Sequence, residues 1–231
     1  MKPAIKVLGV PDDINSSFMR GSSAAPPLIR EALYSASSNL YSESGLNLDQ
    51  KGIWEDLGDI EFAGQVAVEN FKKIKTFVKD VLVSDQKLVS LGGDHSVSWP
   101  ILDAHLDKWD ALDILHIDAH PDLYDSLLGN KLSHASPFAR VMETGRVNRL
   151  VQIGIRTLNK HQREQAEKFE VEIYQMKDLS KLSSLSFSKP VYCSIDIDAL
   201  DPAYAPGVSH FEPGGLSTRQ AIDYINGFKG R

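Results

Sequence analysis

Cysteine is almost absent from this chain of 231 residues, since Cys193 stands alone and cannot form an internal disulfide. It lies inside an apolar run, which favours packing over catalysis. No stretch approaches the ~18 consecutive apolar residues of a membrane-spanning helix. An excess of positive charge is also lacking, since 25 Lys and Arg stand against 31 Asp and Glu for a formal net charge of −6, and no basic face for nucleic acid is expected. The N-terminus enters the apolar segment 5–10 without the features of a signal or transit peptide. These absences predict a soluble, cytoplasmic protein that binds neither membrane nor nucleic acid.

Strand-like and helix-like patterns alternate along the chain. Apolar runs typical of strands occupy 5–10, 87–91, 113–117, 150–155, 171–174 and 191–195. Helical spacing of apolar residues predicts an amphipathic helix over about 66–83. Ser217, followed three residues later by Gln220, predicts a capped helix start. This alternation predicts an α/β fold with three α-β-α layers around a mostly parallel sheet. Without a repeat, linker or low-complexity tract, residues 1–231 are expected to form one domain.

Metal-binding side chains follow three of the apolar runs. The six candidates are His95, Asp118, His120, Asp122, Asp196 and Asp198. After the runs 113–117 and 191–195 they stand at every second position, and alternate residues of a strand point to one face. Ligand sites in sheets of this class gather beyond the carboxyl ends of the strands. The pattern therefore predicts one site at one edge of the sheet.

The chemistry of this donor set favours manganese. Imidazole and carboxylate groups suit Mn²⁺ better than metals that prefer thiolates. So many carboxylates favour two ions bridged by shared aspartates over a single ion. The alternative is that the aspartates cap loops and that His95 merely begins a helix. Burying charged groups without partners is costly, which favours the ligand hypothesis.

Five motifs, in a fixed order, carry a resemblance to a known family. They are Gly92-Gly-Asp-His-Ser, Asp118-Ala-His-Pro-Asp, Ser133-His-Ala-Ser-Pro-Phe, Ser194-Ile-Asp-Ile-Asp, and Asp201-Pro-Ala-Tyr-Ala-Pro-Gly-Val with Pro213-Gly-Gly-Leu. Together they resemble the ureohydrolases, which include arginase and agmatinase. Within that family the chain is most similar to plant-type arginases, through Asn15-Ser-Ser-Phe, the stretch 120–140 and the segment 208–217.

The resemblance implies an arginase-like fold and a hydrolase that uses two Mn²⁺ ions to release urea from a guanidino substrate. It assigns the ligands as His95 and Asp122, His120 and Asp198, and the bridging Asp118 and Asp196. Two adjacent dications lower the pKa of a bound water, which makes hydroxide available near neutral pH. His134 matches the histidine that passes a proton to the departing amine.

The identity of the substrate and the roles of two further histidines, His116 and His210, stay open. The family's substrate-facing loop is represented by Tyr124, Asn130 and Ser133. Animal-type arginases carry Asn where Tyr124 stands and agmatinases commonly carry Tyr, so L-arginine is the first candidate and agmatine the alternative. His116 shares strand parity with the first aspartate and could support it or simply lie in the core. His210 receives no metal role but is a candidate to line the mouth of the site.

The family also continues beyond the segment 217–228 with a strand, a loop carrying a glutamate that receives the guanidinium, and a final helix. The chain is therefore expected to lack these last elements. Two function classes follow, an active dimanganese hydrolase or a catalytically impaired metal-binding homologue with a role in assembly or regulation. Tyr124, Asp125 and Glu212 are the first candidates to receive the guanidinium instead. The resemblance also implies a homo-oligomer, a trimer or a hexamer.

Overall fold

The computed structural model describes residues 4–64, 66–182 and 185–228, which divide into two compact units, Met1–Lys108 and Trp109–Arg231. Each unit contains one sheet, and every strand pairing in both sheets is parallel. The alternation of strand and helix patterns predicts this parallel α/β class. The single domain over 1–231 stays a prediction.

The first unit has a three-stranded sheet with β1 in the middle. Its strands are β1 (Ile5–Val10), β2 (Trp54–Asp59) and β3 (Lys87–Gly92), in the order β2-β1-β3. Its helices are α1 (Ala25–Leu33), α2 (Ala67–Leu82) and α3 (Ser98–Lys108). The short 3-10 helix His95–Val97 leads directly into α3.

Helix α2 forms where the apolar spacing predicts it. Ile74, Val78, Val81 and Leu82 are buried along one face, while Phe77 is half-buried. Burial of each such side chain is worth about 1.5–3 kcal/mol, so this face holds the helix in place. On its other side Lys75 forms an ion pair of 2.8 Å with a carboxylate of α3.

The turn after β3 is fixed by a close approach of two backbones. Asp94 N donates to Asp12 O over 2.9 Å, and a Cβ on Gly93 would overlap that carbonyl oxygen. Only glycine fits there. The Asp94 side chain accepts from Ser96 N at 2.9 Å and from Asn15 N at 3.0 Å. His95 is thereby held at the carboxyl end of β3, as the first residue of the 3-10 helix.

The second unit has a four-stranded sheet in the order β6-β5-β4-β7. Its strands are β4 (Leu112–Ile117), β5 (Val147–Ile155), β6 (Glu172–Gln175) and β7 (Val191–Ile195). Its helices are α4 (Pro137–Met142), α5 (Lys160–Lys168) and α6 (Thr218–Gly227). All residues of β4 are buried, as the long apolar run in that segment predicts.

The register of this sheet makes β4 and β7 end at the same level, and β5 ends two residues beyond it. Ile117 of β4 pairs with Ile153 of β5 and with Ile195 of β7. Asp118 N then donates to Ile153 O at 3.1 Å, and Asp196 N donates to Ile117 O at 2.9 Å. The two aspartate motifs therefore leave neighbouring strands at the same edge.

Several local predictions are confirmed. Ser217 caps α6 in a complete capping box with Gln220, and β7 spans the predicted residues. The sequence does not predict β2, nor the 3-10 helix Met176–Lys181. Within the described ranges, no helix is long and apolar enough to cross a membrane. Cys193 packs against the core of the second unit, which agrees with its predicted packing role.

Candidate metal centre

The aspartate motifs follow strands, but the prediction that strand alternation aligns their side chains is wrong. β4 ends at Ile117 and β7 at Ile195, so both motifs lie in turns. In each turn the side chain of the first aspartate accepts a hydrogen bond from the backbone N–H two residues later. His120 N donates to Asp118 Oδ1 at 2.6 Å, and Asp198 N donates to Asp196 Oδ1 at 3.0 Å. Such turns reorient the chain within two residues, which a strand cannot do.

These two turns bring three of the predicted ligands into one cluster. Asp118, His120 and Asp198 each offer one ligand atom, and those atoms lie within 4.8 Å of one another. His120 Nδ1 is 3.1 Å from Asp198 Oδ2 and 3.4 Å from Asp118 Oδ1. Asp118 is only 1% exposed. This buried cluster of imidazole and carboxylate groups can hold a metal ion.

The charges in the cluster are unbalanced without a cation. Burial lowers the pKa of His120, but its hydrogen bonds to Asp118 and Asp198 outweigh burial and raise that pKa to about 12. Burial and the charges of Asp118 and Asp196 raise the pKa of Asp198 to about 8. The imidazolium of His120 does not fully offset the two carboxylates of the cluster, and a divalent cation would supply the missing positive charge. The donor set thus fits a metal such as Mn²⁺.

Behind Asp118 a buried chain of polar groups runs through His116. His116 Nε2 is 2.8 Å from Asp118 Oδ2, and its Nδ1 is 3.0 Å from Gln152 Nε2. The same amide nitrogen donates to Pro121 O at 2.6 Å. Reversing the amide would place two oxygens against each other, so Gln152 donates to His116, and His116 Nε2–H donates to Asp118. His116 therefore supports the aspartate rather than only filling the core.

The remaining predicted ligands are placed individually. Asp122 is buried, adopts a left-handed φ of 50°, and its carbonyl accepts from Phe138 N at 3.3 Å. Asp196 is the N-cap of the short 3-10 helix Ile197–Ala199, in which Asp198 is the second residue. His95 lies in the first unit, after β3. The ligand roles of these three residues stay predictions.

A row of imidazoles leads away from the cluster. The ring of His210 lies 5.7 Å from that of His120 and 5.8 Å from that of His134, measured between centroids. Burial lowers the pKa of His210, and the two neighbouring imidazoles lower it further, while Asp122 and Asp196 oppose that change. His210 thus lies among the predicted site residues, although no metal motif contains it. Its only sequence signal is its place beside Gly207 and Val208.

The predicted substrate loop is anchored on α5. The ring of Tyr124 stacks on His161 with centroids 5.5 Å apart, and its hydroxyl accepts from Asn159 Nδ2. Asn130 is exposed, and its Oδ1 accepts from Leu132 N at 2.9 Å. Ser133 is buried, with its Oγ 3.4 Å from His134 Nδ1. Sequence reasoning gave His161 no role, and its stacking follows from tertiary packing alone.

The side chain of Arg156, which follows β5, joins the turn at 196–198 to the loop that carries Glu212. Its Nη2 donates to Asp198 O and to Glu212 O, both at 2.7 Å. A Cβ on Gly215 would lie 2.7 Å from the same Nη2, so this packing leaves no room for a side chain there. The Glu212 carboxylate lies 3.4 Å from His120 Nε2. The sequence analysis gave Arg156 no role. A charged residue directly after a buried strand nevertheless indicates a site residue at the carboxyl edge of the sheet.

The sequence and the fold are similar to those of known proteins. The sequence matches the model of the Arginase family over residues 3–231. It is 45% identical over 244 residues to "Arginase 1, mitochondrial" of Oryza sativa subsp. indica, which covers 100% of this chain and 72% of that protein. It is 34% identical over 224 residues to "Agmatinase" of Bacillus cereus, and this match covers 96% of this chain and 77% of that protein. The solved structure "Arginase from Medicago truncatula" superposes with a TM-score of 0.93 at 43% identity, over 98% of this chain and 76% of that one. The predicted arginase-like α/β fold is confirmed.

Proposed function

The chain belongs to the arginase family, and on that premise we propose that it hydrolyses L-arginine to L-ornithine and urea with two Mn²⁺ ions. The observation that carries the proposal is the buried cluster of Asp118, His120 and Asp198, whose donor atoms lie within 4.8 Å. The relative from rice that bears the name arginase supports arginine as the substrate.

Six residues would hold the two ions. We assign one to His95 and Asp122, the other to His120 and Asp198, and the shared positions to Asp118 and Asp196. When bound, two adjacent dications lower the pKa of a water molecule and make hydroxide available near neutral pH. His116 would keep the bridging Asp118 in place, since its Nε2–H already donates to that carboxylate.

His134 would give a proton to the amine that leaves the guanidinium carbon. An imidazole can take up and release that proton within one turnover. Ser133 Oγ, 3.4 Å from its Nδ1, orients the ring. Tyr124, Asn130 and Ser133 would contact the far end of the substrate.

Agmatine is the second candidate substrate, because Tyr124 stands where agmatinases commonly carry tyrosine and because the agmatinase of Bacillus cereus is a relative. We further propose a homo-oligomer, a trimer or a hexamer, on the strength of the family resemblance. The cytoplasmic location also stays a prediction, and the rice relative is named mitochondrial.

Urea release tests the proposal directly. The chain is supplied with Mn²⁺ and given arginine or agmatine, beside a sample treated with chelator. We expect metal-dependent urea release, and its loss in Asp198→Asn. Asp223→Asn is the matched control, since Asp223 is exposed and pairs only weakly with Arg219 over 3.5 Å. Absence of urea from both substrates at saturating Mn²⁺ would replace the proposal with an inactive metal-binding homologue, and release by the chelated protein would overturn the metal requirement.

A further inference from the structure

Glu212 places a carboxylate behind His120, on the side of the ring away from the cluster. His120 Nδ1 is directed to Asp198 Oδ2 at 3.1 Å, while Nε2 is 3.4 Å from Glu212 Oε1. The two nitrogens of one ring thus serve two different partners. Only a nitrogen without hydrogen can bind a metal, so a neutral His120 that binds through Nδ1 must carry its hydrogen on Nε2.

The backbone holds Glu212 in this position without help from its side chain. Arg156 Nε and Nη2 donate to Glu212 O at 2.9 and 2.7 Å. Further along, Asp201 Oδ2 accepts from Gly214 N at 2.7 Å, and Leu216 N donates to Ala199 O at 3.0 Å. The loop is therefore closed on the same segment that carries Asp198. Replacing the Glu212 side chain leaves all of these hydrogen bonds intact.

We propose that Glu212 is a positioning residue, which accepts the Nε2–H of His120 and so directs Nδ1 to a metal ion between Asp118 and Asp198. The inference rests on the proposed metal centre and deepens it. Carboxylates that accept from the second nitrogen of a ligating histidine fix the ring and increase its basicity. The geometry favours this role over binding of the substrate guanidinium, because Glu212 Oε1 lies within ion-pair distance of His120 Nε2, at 3.4 Å.

Mn²⁺ binding without substrate is the decisive measurement. Titration calorimetry on the whole chain compares wild type, Glu212→Ala, Glu212→Gln and Glu143→Ala. Glu143 is a suitable control because its side chain is 39% exposed against 32% for Glu212, and it pairs with Arg140 rather than with the cluster. We expect Glu212→Ala to weaken binding of one Mn²⁺ by about 10–100-fold, and Glu212→Gln to stay within about threefold of wild type because its amide oxygen still accepts.

Each other outcome has a defined meaning. Unchanged Mn²⁺ affinity in Glu212→Ala would overturn the positioning role, and so would equal losses in the Ala and Gln variants. An increase in KM for arginine in both variants at unchanged Mn²⁺ affinity would show that Glu212 receives the guanidinium instead. Failure of the wild type itself to bind Mn²⁺ would overturn the proposed function together with this inference.

Discussion

Gln152 gives the sharpest test of the buried chain behind the cluster. It is fully buried at 0% exposure, and one amide nitrogen serves both His116 Nδ1 at 3.0 Å and Pro121 O at 2.6 Å. Gln152→Leu keeps the approximate volume and removes both donors. Without them, His116 loses the contact that keeps its hydrogen on Nε2, where Asp118 accepts it.

The size of the effect follows from the groups left behind. Each buried acceptor that loses its donor costs about 1–3 kcal/mol of folding stability. Two acceptors lose theirs, His116 Nδ1 and Pro121 O. Gln152 Oε1 is buried without a hydrogen-bond partner among the described residues. Removing this oxygen is therefore stabilising and offsets part of the loss. We expect a net destabilisation of about 2–4 kcal/mol, which lowers Tm by about 4–16 °C in a chain of this length. Binding of Mn²⁺ should weaken by about 10–100-fold, because Asp118 loses an oriented donor.

Urea unfolding followed by circular dichroism measures the first effect and Mn²⁺ titration the second. Gln165→Leu is the matched control, because Gln165 is also buried and its Nε2 has no hydrogen-bond partner in the described part of the chain. We expect that control to change stability by less than about 1 kcal/mol. Equal stability of the two leucine variants, or unchanged Mn²⁺ affinity in Gln152→Leu, would refute the reasoning.

Three substitutions and one labelling experiment have defined outcomes. Asp118→Asn and Asp196→Asn should each abolish urea release and leave fewer than two Mn²⁺ per chain in elemental analysis, because a bridging carboxylate serves both ions; two ions with normal turnover would contradict the bridge. His134→Ala should lower kcat by roughly 10²–10⁴ at unchanged metal content. Loss of metal in that variant would make His134 a ligand. Burial raises the pKa of Cys193 from 9.0 to about 11, so at pH 8 its reactive thiolate is roughly a hundredfold scarcer than in an ordinary thiol. Iodoacetamide should therefore label the folded chain that much more slowly than the chain unfolded in urea, and equal rates would contradict the burial of this thiol.

Local patterns in the sequence were enough to predict those parts of the fold that local chemistry decides. The spacing of apolar residues located α2, and the side chains of Ser217 and Gln220 located the start of α6. β2 was not predicted from the sequence because its residues are mostly exposed and polar. Its pairing with β1, and not its own residue pattern, makes it a strand. Such a strand is defined by its neighbour.

In the site, too, local sequence predicted some features, and tertiary contacts decide the others. The residue types at 118–122 and 196–198 identified a candidate metal centre, but period-two alternation gave the wrong reason for their convergence. Two aspartate-closed turns place the side chains instead. The contacts of Gln152 with His116, and of Glu212 with His120, join residues distant in sequence. No local pattern encodes such pairs, because the strand order and the loop path decide them.

The order of strands in the second unit has a consequence for how the protein is made. β4 and β7 are neighbours in the sheet, yet Ala119 and Asp198, which meet across them, are 79 residues apart in the chain. At roughly 5–20 residues per second, a ribosome completes the first aspartate turn about 4–16 s before the second. During that interval Asp118 does not yet face Asp198, whose charge it opposes in the folded chain. The mutual repulsion of the aspartates arises only when β7 docks, so we expect this docking to be the step of maturation that manganese supply accelerates.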